Sequence, residues 1–365
     1  MKFLFLLLPL TLSAAVSTIH VPNGGIQPQV VERDGVVHMI YFAGDAQKGD
    51  LFYVSSRDYG TTFSKAIPVN HEPGSAIAMG NIRGAQLAVG RNGRVHVAWN
   101  GTAPTAKLPM LYTRLNDAGN AFEPEHNLIH NAWGLDGGGS LAADATGNVY
   151  VFWHAPLPGK TGEQNRRVWI ARSADEGKTF EPEHIAFDKP IGACGCCGMK
   201  AFADASGVHV LFRSADKIVN RDIWLLSSTD NGKTFTGTDV SHWNIGACVM
   251  SSADLMPSAS GLLAAWESEK QTYFGRVDNG QIQKPIAAPG VPHNRKYPVL
   301  ASNKQGETLF AWSEGTAWKK GGTVGWQIYG KDGQPEKEAG SAPGFPVWGL
   351  VAAFAKPDGT FILVY

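Results

Sequence analysis

The chain has 365 residues, with 32 basic and 32 acidic side chains, and carries no net charge when histidine is neutral. Because no basic stretch is available to neutralise phosphates, we expect neither nucleic acids nor anionic membrane surfaces as partners. Glycine (43 residues) and proline (21 residues) are frequent, and only 18% of the residues are charged, a composition typical of many short strands and tight turns.

Residues 1–15 have the pattern of a signal peptide. Lys2 supplies the positive charge, residues 3–12 form an apolar run too short to span a bilayer, and residues 13–15 offer a small-residue cleavage site. We therefore expect an exported protein, periplasmic or secreted, with no membrane span after cleavage. Residues 16–365 are expected to form one domain, and the four cysteines of an exported chain form disulfides by default.

A hairpin motif recurs along this domain and determines the predicted architecture. Each copy joins an apolar strand, a short Asp/Asn/Gly turn and an alternating strand that usually ends in an aromatic residue. Seven copies occupy residues 29–41, 86–99, 140–153, 200–212, 254–266, 298–312 and 349–365. Such a regular repeat indicates a fold built from identical units.

A second hairpin lies between these copies and contains the motif Ser-x-Asp-x-Gly-x-Thr-Phe. Three near-perfect copies occupy residues 56–63, 173–180 and 228–235, and degenerate copies lie at 116–122, 278–280 and 331–333. In this turn the aspartate can accept hydrogen bonds from backbone N–H groups, and the glycine takes the positive φ angle. Two hairpins per repeat make four antiparallel strands, which is one propeller blade.

The three well-formed motifs resemble those of the sialidase (Asp-box, or BNR-repeat) superfamily, and the resemblance covers essentially the whole mature chain. It implies an all-β propeller of four-stranded antiparallel blades. The family is six-bladed, but the seven copies of the first hairpin, which forms the inner half of each blade, favour seven blades here. Residues 17–21 would close the last blade. Six blades plus an extra hairpin is the alternative. A closed propeller leaves few free edges, so we expect a monomer.

The Asp-box turns connect the third and fourth strands of each blade and therefore mark the back of the propeller. The loops between blades, and those between second and third strands, converge on the opposite front face, where a propeller ligand is expected. His38, His96 and His209 occupy equivalent positions in the second strands, and a residue type that recurs in this way predicts packing.

The resemblance to sialidases implies three arginines that clamp a substrate carboxylate, a tyrosine nucleophile with a glutamate partner, and an aspartate as acid/base. The front-face residues that fit these roles by loop location are Arg83, Arg213, Arg295, Tyr297, Glu267 and Asp136. The Arg-Ile-Pro motif of the family is absent from the sequence, and the closest segment is 81–85. The sequence therefore predicts recognition of a glycan or other anionic ligand, with hydrolysis as a further step left open. A non-catalytic propeller that binds glycan or protein is an alternative.

The phrase Ile-Gly-Ala-Cys occurs twice, at 191–194 and 245–248, in loops that precede adjacent blades. The thiols and thioethers thus predicted to lie together are Cys194, Cys196, Cys197, Cys248, Met199 and Met250. Soft sulfur ligands select copper(I), or zinc where tetrahedral thiolates are available. Two disulfides, one of them from Cys194 or Cys196 to Cys248, and thiol chemistry remain as alternatives to a metal site.

Overall fold

The computed structural model describes residues 15–105 and 107–365, so all but the last residue of the predicted signal peptide lies outside the described residues. The described chain forms seven sheets arranged in a ring, with 27 strands and three short 3₁₀ helices. The 3₁₀ helices span Pro22–Gly24, Arg91–Gly93 and Glu163–Asn165. The all-β, seven-bladed prediction is confirmed.

Six blades are four-stranded antiparallel sheets whose strands follow one another in chain order from the axis outward. Blade 1 contains β2 (Ile26–Arg33), β3 (Val36–Asp45), β4 (Lys48–Ser56) and β5 (Ile67–Pro68). Blade 2 contains β6 (Gln86–Val89), β7 (Val95–Asn100), β8 (Met110–Arg114) and β9 (His126–Asn127). Blade 3 contains β10 (Ser140–Ala143), β11 (Val149–Pro156), β12 (Arg166–Ser173) and β13 (His184–Phe187).

The next three blades repeat this order. Blade 4 contains β14 (Lys200–Asp204), β15 (Gly207–Arg213), β16 (Ile223–Ser228) and β17 (Thr236–Ser241). Blade 5 contains β18 (Asp254–Ser258), β19 (Gly261–Ser268), β20 (Gln271–Asp278) and β21 (Gln281–Ala287). Blade 6 contains β22 (Lys296–Ser302), β23 (Thr308–Glu314), β24 (Gly322–Tyr329) and β25 (Pro335–Phe345).

Blade 7 combines the two ends of the described chain. Its strands β26 (Ala352–Ala355) and β27 (Phe361–Val364) form an antiparallel hairpin, and β1 (Val16–Ile19) adds to β27 as a parallel third strand. The N-terminal segment thus closes the ring, as predicted. The blade differs from the other six because it has three strands and one parallel pairing.

The blades pack through apolar side chains that the hairpin repeats supply. Trp99, Trp153 and Trp266 are among the largest fully buried side chains, and the Trp153 indole N–H donates to the Ala132 carbonyl at 3.2 Å. The inner strands of neighbouring blades contact one another around the whole ring. They surround a central channel of about 650 Å³. At its front end the channel is bordered by Ile82 and by Gly198, which directly follows the cysteine-rich segment 194–197.

The Ser-x-Asp-x-Gly-x-Thr-Phe turns are held by the hydrogen bonds expected of them. Asp175 Oδ1 accepts from the Thr179 N–H at 2.9 Å, and Oδ2 accepts from the Thr179 hydroxyl at 2.7 Å. The Ser173 hydroxyl accepts from the Gly177 N–H at 2.8 Å, and Gly177 has a φ of 76°. Equivalent hydrogen bonds from the threonine and serine lower the pKa of Asp58 to about 2. These turns fix the back of the propeller, so the front face is built from the opposite loops.

The recurrent histidines lie inside the blades and contact hydroxyl groups on the adjacent strand. His38 and His96 each place Nδ1 2.7 Å from a tyrosine hydroxyl, and His209 Nδ1 lies 2.9 Å from the Ser227 hydroxyl. Burial lowers the pKa of His38 to about 4 and that of His96 to about 3. These contacts give the histidines a packing role. Nowhere in the described residues does a helix have the length and apolar character needed to cross a bilayer.

Candidate functional site

The cysteine-rich segment lies at the centre of the front face, in the loop between blades 3 and 4. A disulfide joins Cys196 to Cys248 in the next inter-blade loop, at a sequence separation of 52 residues. Within the described chain, Cys194 and Cys197 are the remaining thiols, and both are buried. Cys194 Sγ lies 3.4 Å from Cys196 Sγ and 3.3 Å from Cys197 Sγ. The prediction that the two Ile-Gly-Ala-Cys phrases converge is therefore confirmed, with one disulfide in place of the two considered.

The backbone of this segment is fixed at several points. The Cys194 N–H donates to the Arg213 carbonyl at 2.9 Å, and the Gly198 N–H donates to the Ser251 carbonyl at 2.8 Å. Between them, the Gly195 N–H donates to Glu163 Oε1 at 2.6 Å. The sulfur atoms are thus held in place by loops from three neighbouring blades.

The two thiols share a hydrogen bond in which Cys194 donates to Cys197. Donating this bond raises the pKa of Cys194 well above its ordinary value, and burial adds to the effect. For Cys197, burial opposes ionisation, but accepting this hydrogen bond and the nearby Arg213 guanidinium together lower its pKa. Cys197 is therefore the thiol that ionises more readily.

A ring of charged groups surrounds Gly195. A Cβ atom on this glycine would lie 2.7 Å from Asp136 Oδ2, 3.1 Å from Glu163 Oε1 and 3.5 Å from Arg166 Cζ. The Asp136 carboxylate also forms a salt bridge of 2.7 Å with Arg83. The two carboxylates therefore lie side by side above the cysteine segment, and a side chain at position 195 would displace them.

The remaining partners in this ring are an arginine and a histidine. Arg221 pairs with Glu163 at 2.8 Å, and Arg166 lies 3.1 Å from His154 Nδ1. His154 is buried, which lowers its pKa to about 3, and the neighbouring Arg166 cation adds to this effect. His154 is therefore neutral in the folded protein at physiological pH.

A more deeply buried group of charges lies on the blade 4 and blade 5 side of Cys197. Arg213 pairs with Glu267 at 3.3 Å, and both side chains are almost fully buried. Burial raises the pKa of Glu267 to about 7, although Arg213 and Lys296 oppose the shift. The Lys296 ammonium donates to the Val249 carbonyl. The side chains of Arg213, Glu267 and Lys296 thus surround one buried thiol, that of Cys197.

The residues predicted from the sialidase resemblance do not all come together. Arg213 and Glu267 contact each other, Arg83 contacts Asp136, and Tyr297 is buried where its pKa is raised by burial and by the nearby Cys197 and Glu267. Arg295 instead binds Glu314 at 2.7 Å and packs on the Trp312 ring in blade 6. The roles assigned to these six residues remain predictions.

The two methionines of the predicted sulfur set differ in their surroundings. Met199 packs in the apolar core between blades 3 and 4. Met250 has a positive φ of 51°, and its carbonyl accepts from Lys296 at 3.4 Å. The sulfur cluster that the structure brings together consists of the four cysteines.

Glu163 and Lys296 were not singled out from the sequence, although both contact the segments that carry the cysteines. Glu163 lies between β11 and β12, the second and third strands of blade 3, and no sequence motif distinguishes it there. Lys296 lies at the beginning of an inner strand, and no local pattern distinguishes it from an ordinary surface lysine.

An exposed aromatic residue borders the charged ring. Trp318 is 53% exposed and packs edge-to-face against Trp348, with 4.6 Å between ring centroids. A Cβ atom on Gly80 would lie 3.9 Å from the Trp318 ring and 2.6 Å from the Arg83 guanidinium. The front face therefore offers an apolar ring beside a salt-bridged arginine.

Comparison with solved structures identifies the architecture. The chain aligns with Trypanosoma rangeli sialidase in complex with sialic acid (TM-score 0.54, 13% identity), covering 80% of this chain and 52% of that one. The fold is that of a sialidase-like β-propeller. The sialidase-like fold also aligns with an α-L-arabinanase from Penicillium chrysogenum complexed with arabinobiose (TM-score 0.53, 10% identity), covering 86% and 95% of the two chains. A Dyadobacter fermentans protein of unknown function aligns as well (TM-score 0.50, 13% identity, 88% and 94% covered).

This sialidase-like propeller spans only about half of the sialidase chain. No family model and no curated protein matches its sequence. At these identities the comparisons establish the fold alone.

Proposed function

We propose that this propeller binds an anionic, hydroxyl-rich ligand, such as an acidic glycan, on the front face outside the cytoplasm. The observation that carries the proposal is the exposed Trp318 ring beside the Arg83–Asp136 salt bridge. An aromatic ring offers an apolar face to a sugar ring, while a guanidinium binds carboxylates in a forked geometry. The Asp136 side chain, 45% exposed, can accept hydrogen bonds from ligand hydroxyls.

Two further observations support this proposal. Solved propellers of similar fold include one in complex with sialic acid and one with arabinobiose, and front-face loops are the usual ligand site of the architecture. The Cys196–Cys248 disulfide is typical of proteins that work in an oxidising compartment.

Replacement of Trp318 tests the binding proposal. We expect Trp318→Ala to weaken binding of an acidic oligosaccharide by about tenfold, equivalent to about 1.4 kcal/mol. The affinity is measured by calorimetry, after the wild-type protein has been screened against neutral and acidic oligosaccharides. Val291→Ala is the matched control because Val291 is also an exposed apolar residue in a front loop. Equal affinity in the wild type and Trp318→Ala would contradict the proposed platform.

Hydrolysis of the bound glycan is a second candidate function, and the adjacent carboxylates of Asp136 and Glu163 favour it. Glycoside hydrolases use such a pair, one as general acid and the other as nucleophile or base. We expect Asp136→Asn and Glu163→Gln each to lower kcat/KM by at least about a hundredfold, measured as release of reducing sugar. Glu72→Gln, in another front loop, should retain full activity. If the wild type binds a glycan without cleaving it, the protein is a binding module.

A further inference from the structure

The four cysteines are not used by the proposed ligand site, which lies above them. We propose that the reduced cluster binds one copper(I) ion through Cys194, Cys196 and Cys197, and that Cys248 controls the site by taking Cys196 into a disulfide. Three observations carry this inference: the geometry of the sulfur atoms, the charge around them, and the identity of the disulfide partner.

The geometry is that of a three-sulfur site. The Sγ atoms of Cys194, Cys196 and Cys197 all lie within 4.8 Å of one another, with two of the separations at 3.4 and 3.3 Å. The hydrogen bonds from Cys194, Gly195 and Gly198 to neighbouring loops fix the backbone that carries them. Three sulfurs held on one short, anchored segment need only small side-chain rotations to surround an ion.

The surrounding charge favours an anionic metal–thiolate complex. Four cations lie around the sulfurs, Arg166, Arg213, Arg221 and Lys296, and only two carboxylates, Glu163 and Glu267, offset them. The nearby Asp136 is already paired with Arg83. The pocket therefore has a surplus of positive charge. A monovalent ion held by three thiolates has a net charge of minus two, which offsets this surplus.

The ligand type and number select copper(I). Soft thiolate sulfurs favour copper(I) and zinc over hard cations. A structural zinc site takes four ligands in a tetrahedron, usually as pairs of cysteines separated by two to four residues. Here three sulfurs come from a Cys-Gly-Cys-Cys run, in which Cys196 and Cys197 are adjacent.

The fourth cysteine gives the site a redox control. In the structure Cys248 is bonded to Cys196, so one of the three ligands is withdrawn. A dithiol reductant breaks this bond by transferring two electrons and two protons, which yields two cysteine thiols and converts the reductant to its own disulfide. Copper(I) then replaces the protons of Cys194, Cys196 and Cys197, and these three protons pass to solvent.

The test uses the full exported chain under anaerobic conditions, with copper(I) supplied in competition with a chromogenic copper(I) chelator. After reduction with a phosphine and its removal, we expect one copper per chain by native mass spectrometry. The disulfide form should bind copper(I) at least about tenfold more weakly. Loss of a hydrogen-bonding partner outside the ligand shell commonly weakens metal binding by that factor, and the disulfide removes a ligand itself. Cys194→Ser, Cys196→Ser and Cys197→Ser should each show a similar or larger loss.

Cys248→Ser is the decisive variant because it removes the disulfide partner of Cys196. It should bind copper(I) with the affinity of the reduced wild type without any reductant, and Trp318→Ala should bind copper like the wild type. Circular dichroism establishes that each variant is folded. The proposal is overturned if the reduced protein holds copper no more tightly than Cys196→Ser. It is also overturned if zinc at equal concentration displaces the copper, or if Cys248→Ser still requires reduction.

Discussion

Replacement of Arg213 by methionine is expected to lower the free energy of unfolding by about 3 to 5 kcal/mol, because one partner of a buried ion pair is removed while the other remains. Arg213 donates to the Glu267 carbonyl at 2.6 Å, approaches Oε2 of the same residue at 3.3 Å, and donates to the Arg221 carbonyl at 2.8 Å. Both side chains of the pair are almost fully buried. Urea denaturation at neutral pH measures the loss.

A double-mutant cycle separates the charge from the shape of the Arg213 side chain. Combining Arg213→Met with Glu267→Gln removes both charges, and we expect this variant to be more stable than Arg213→Met alone because no unpaired carboxylate is left in the interior. Arg295→Met provides a comparison in which the partner, Glu314, is partly exposed. A loss below about 1 kcal/mol for Arg213→Met would show that Glu267 is accommodated by other neighbours.

The stability of the protein is expected to fall between pH 6.5 and 4 because of its buried histidines. Burial lowers the pKa of His96 from 6.5 to about 3 in the folded state. The unfolded chain therefore binds a proton below pH 6.5 that the folded chain does not bind. His96 thus contributes stability that is fully present above pH 6.5 and is lost as the pH falls towards 3.

His96→Gln tests this contribution while keeping a side chain that can hydrogen-bond to Tyr112, whose hydroxyl lies 2.7 Å from His96 Nδ1. Between pH 7 and 4.5, we expect the free energy of unfolding of the variant to fall by about 2 to 3 kcal/mol less than that of the wild type. Urea titrations at both pH values measure the difference. His293→Gln, which alters an exposed histidine, should follow the wild type. Parallel pH profiles for His96→Gln and the wild type would contradict the assignment.

The fold could be predicted because each blade is encoded by sequence patterns within its own segment of the chain. The hairpin turns, the alternating strands and the aspartate turns such as 173–180 are all short-range features, and seven copies of the inner hairpin give the blade number. The closure by β1 was predictable only because the last hairpin had no outer partner. Its parallel pairing with β27 is a contact between chain ends that no local pattern encodes.

The part of the site that depends on the blade repeat could be predicted, and the part that depends on side-chain direction could not. The two Ile-Gly-Ala-Cys phrases precede adjacent blades, so their convergence followed from the repeat. The sequence places Arg295 and Arg83 in the same candidate site because both lie in front loops. Loop position does not show which way a side chain points. Arg295 turns to Glu314. Glu163 was missed for the same reason, since its contact with Gly195 depends on the conformation of a single loop.

The parallel pairing of β1 with β27 also sets an order of events during synthesis. Residues 16–19 and 361–364 stand at opposite ends of the described chain, so the first of these strands emerges from the ribosome long before its partner exists. Six blades consist of strands that are consecutive in sequence and can form earlier. The pairing of β1 with β27 can form only after the last segment has been made. Contacts this distant in sequence form slowly. Until then β1 stays unpaired, as does the outer edge of β27 once that strand has formed, and these open edges can pair with another copy of the chain.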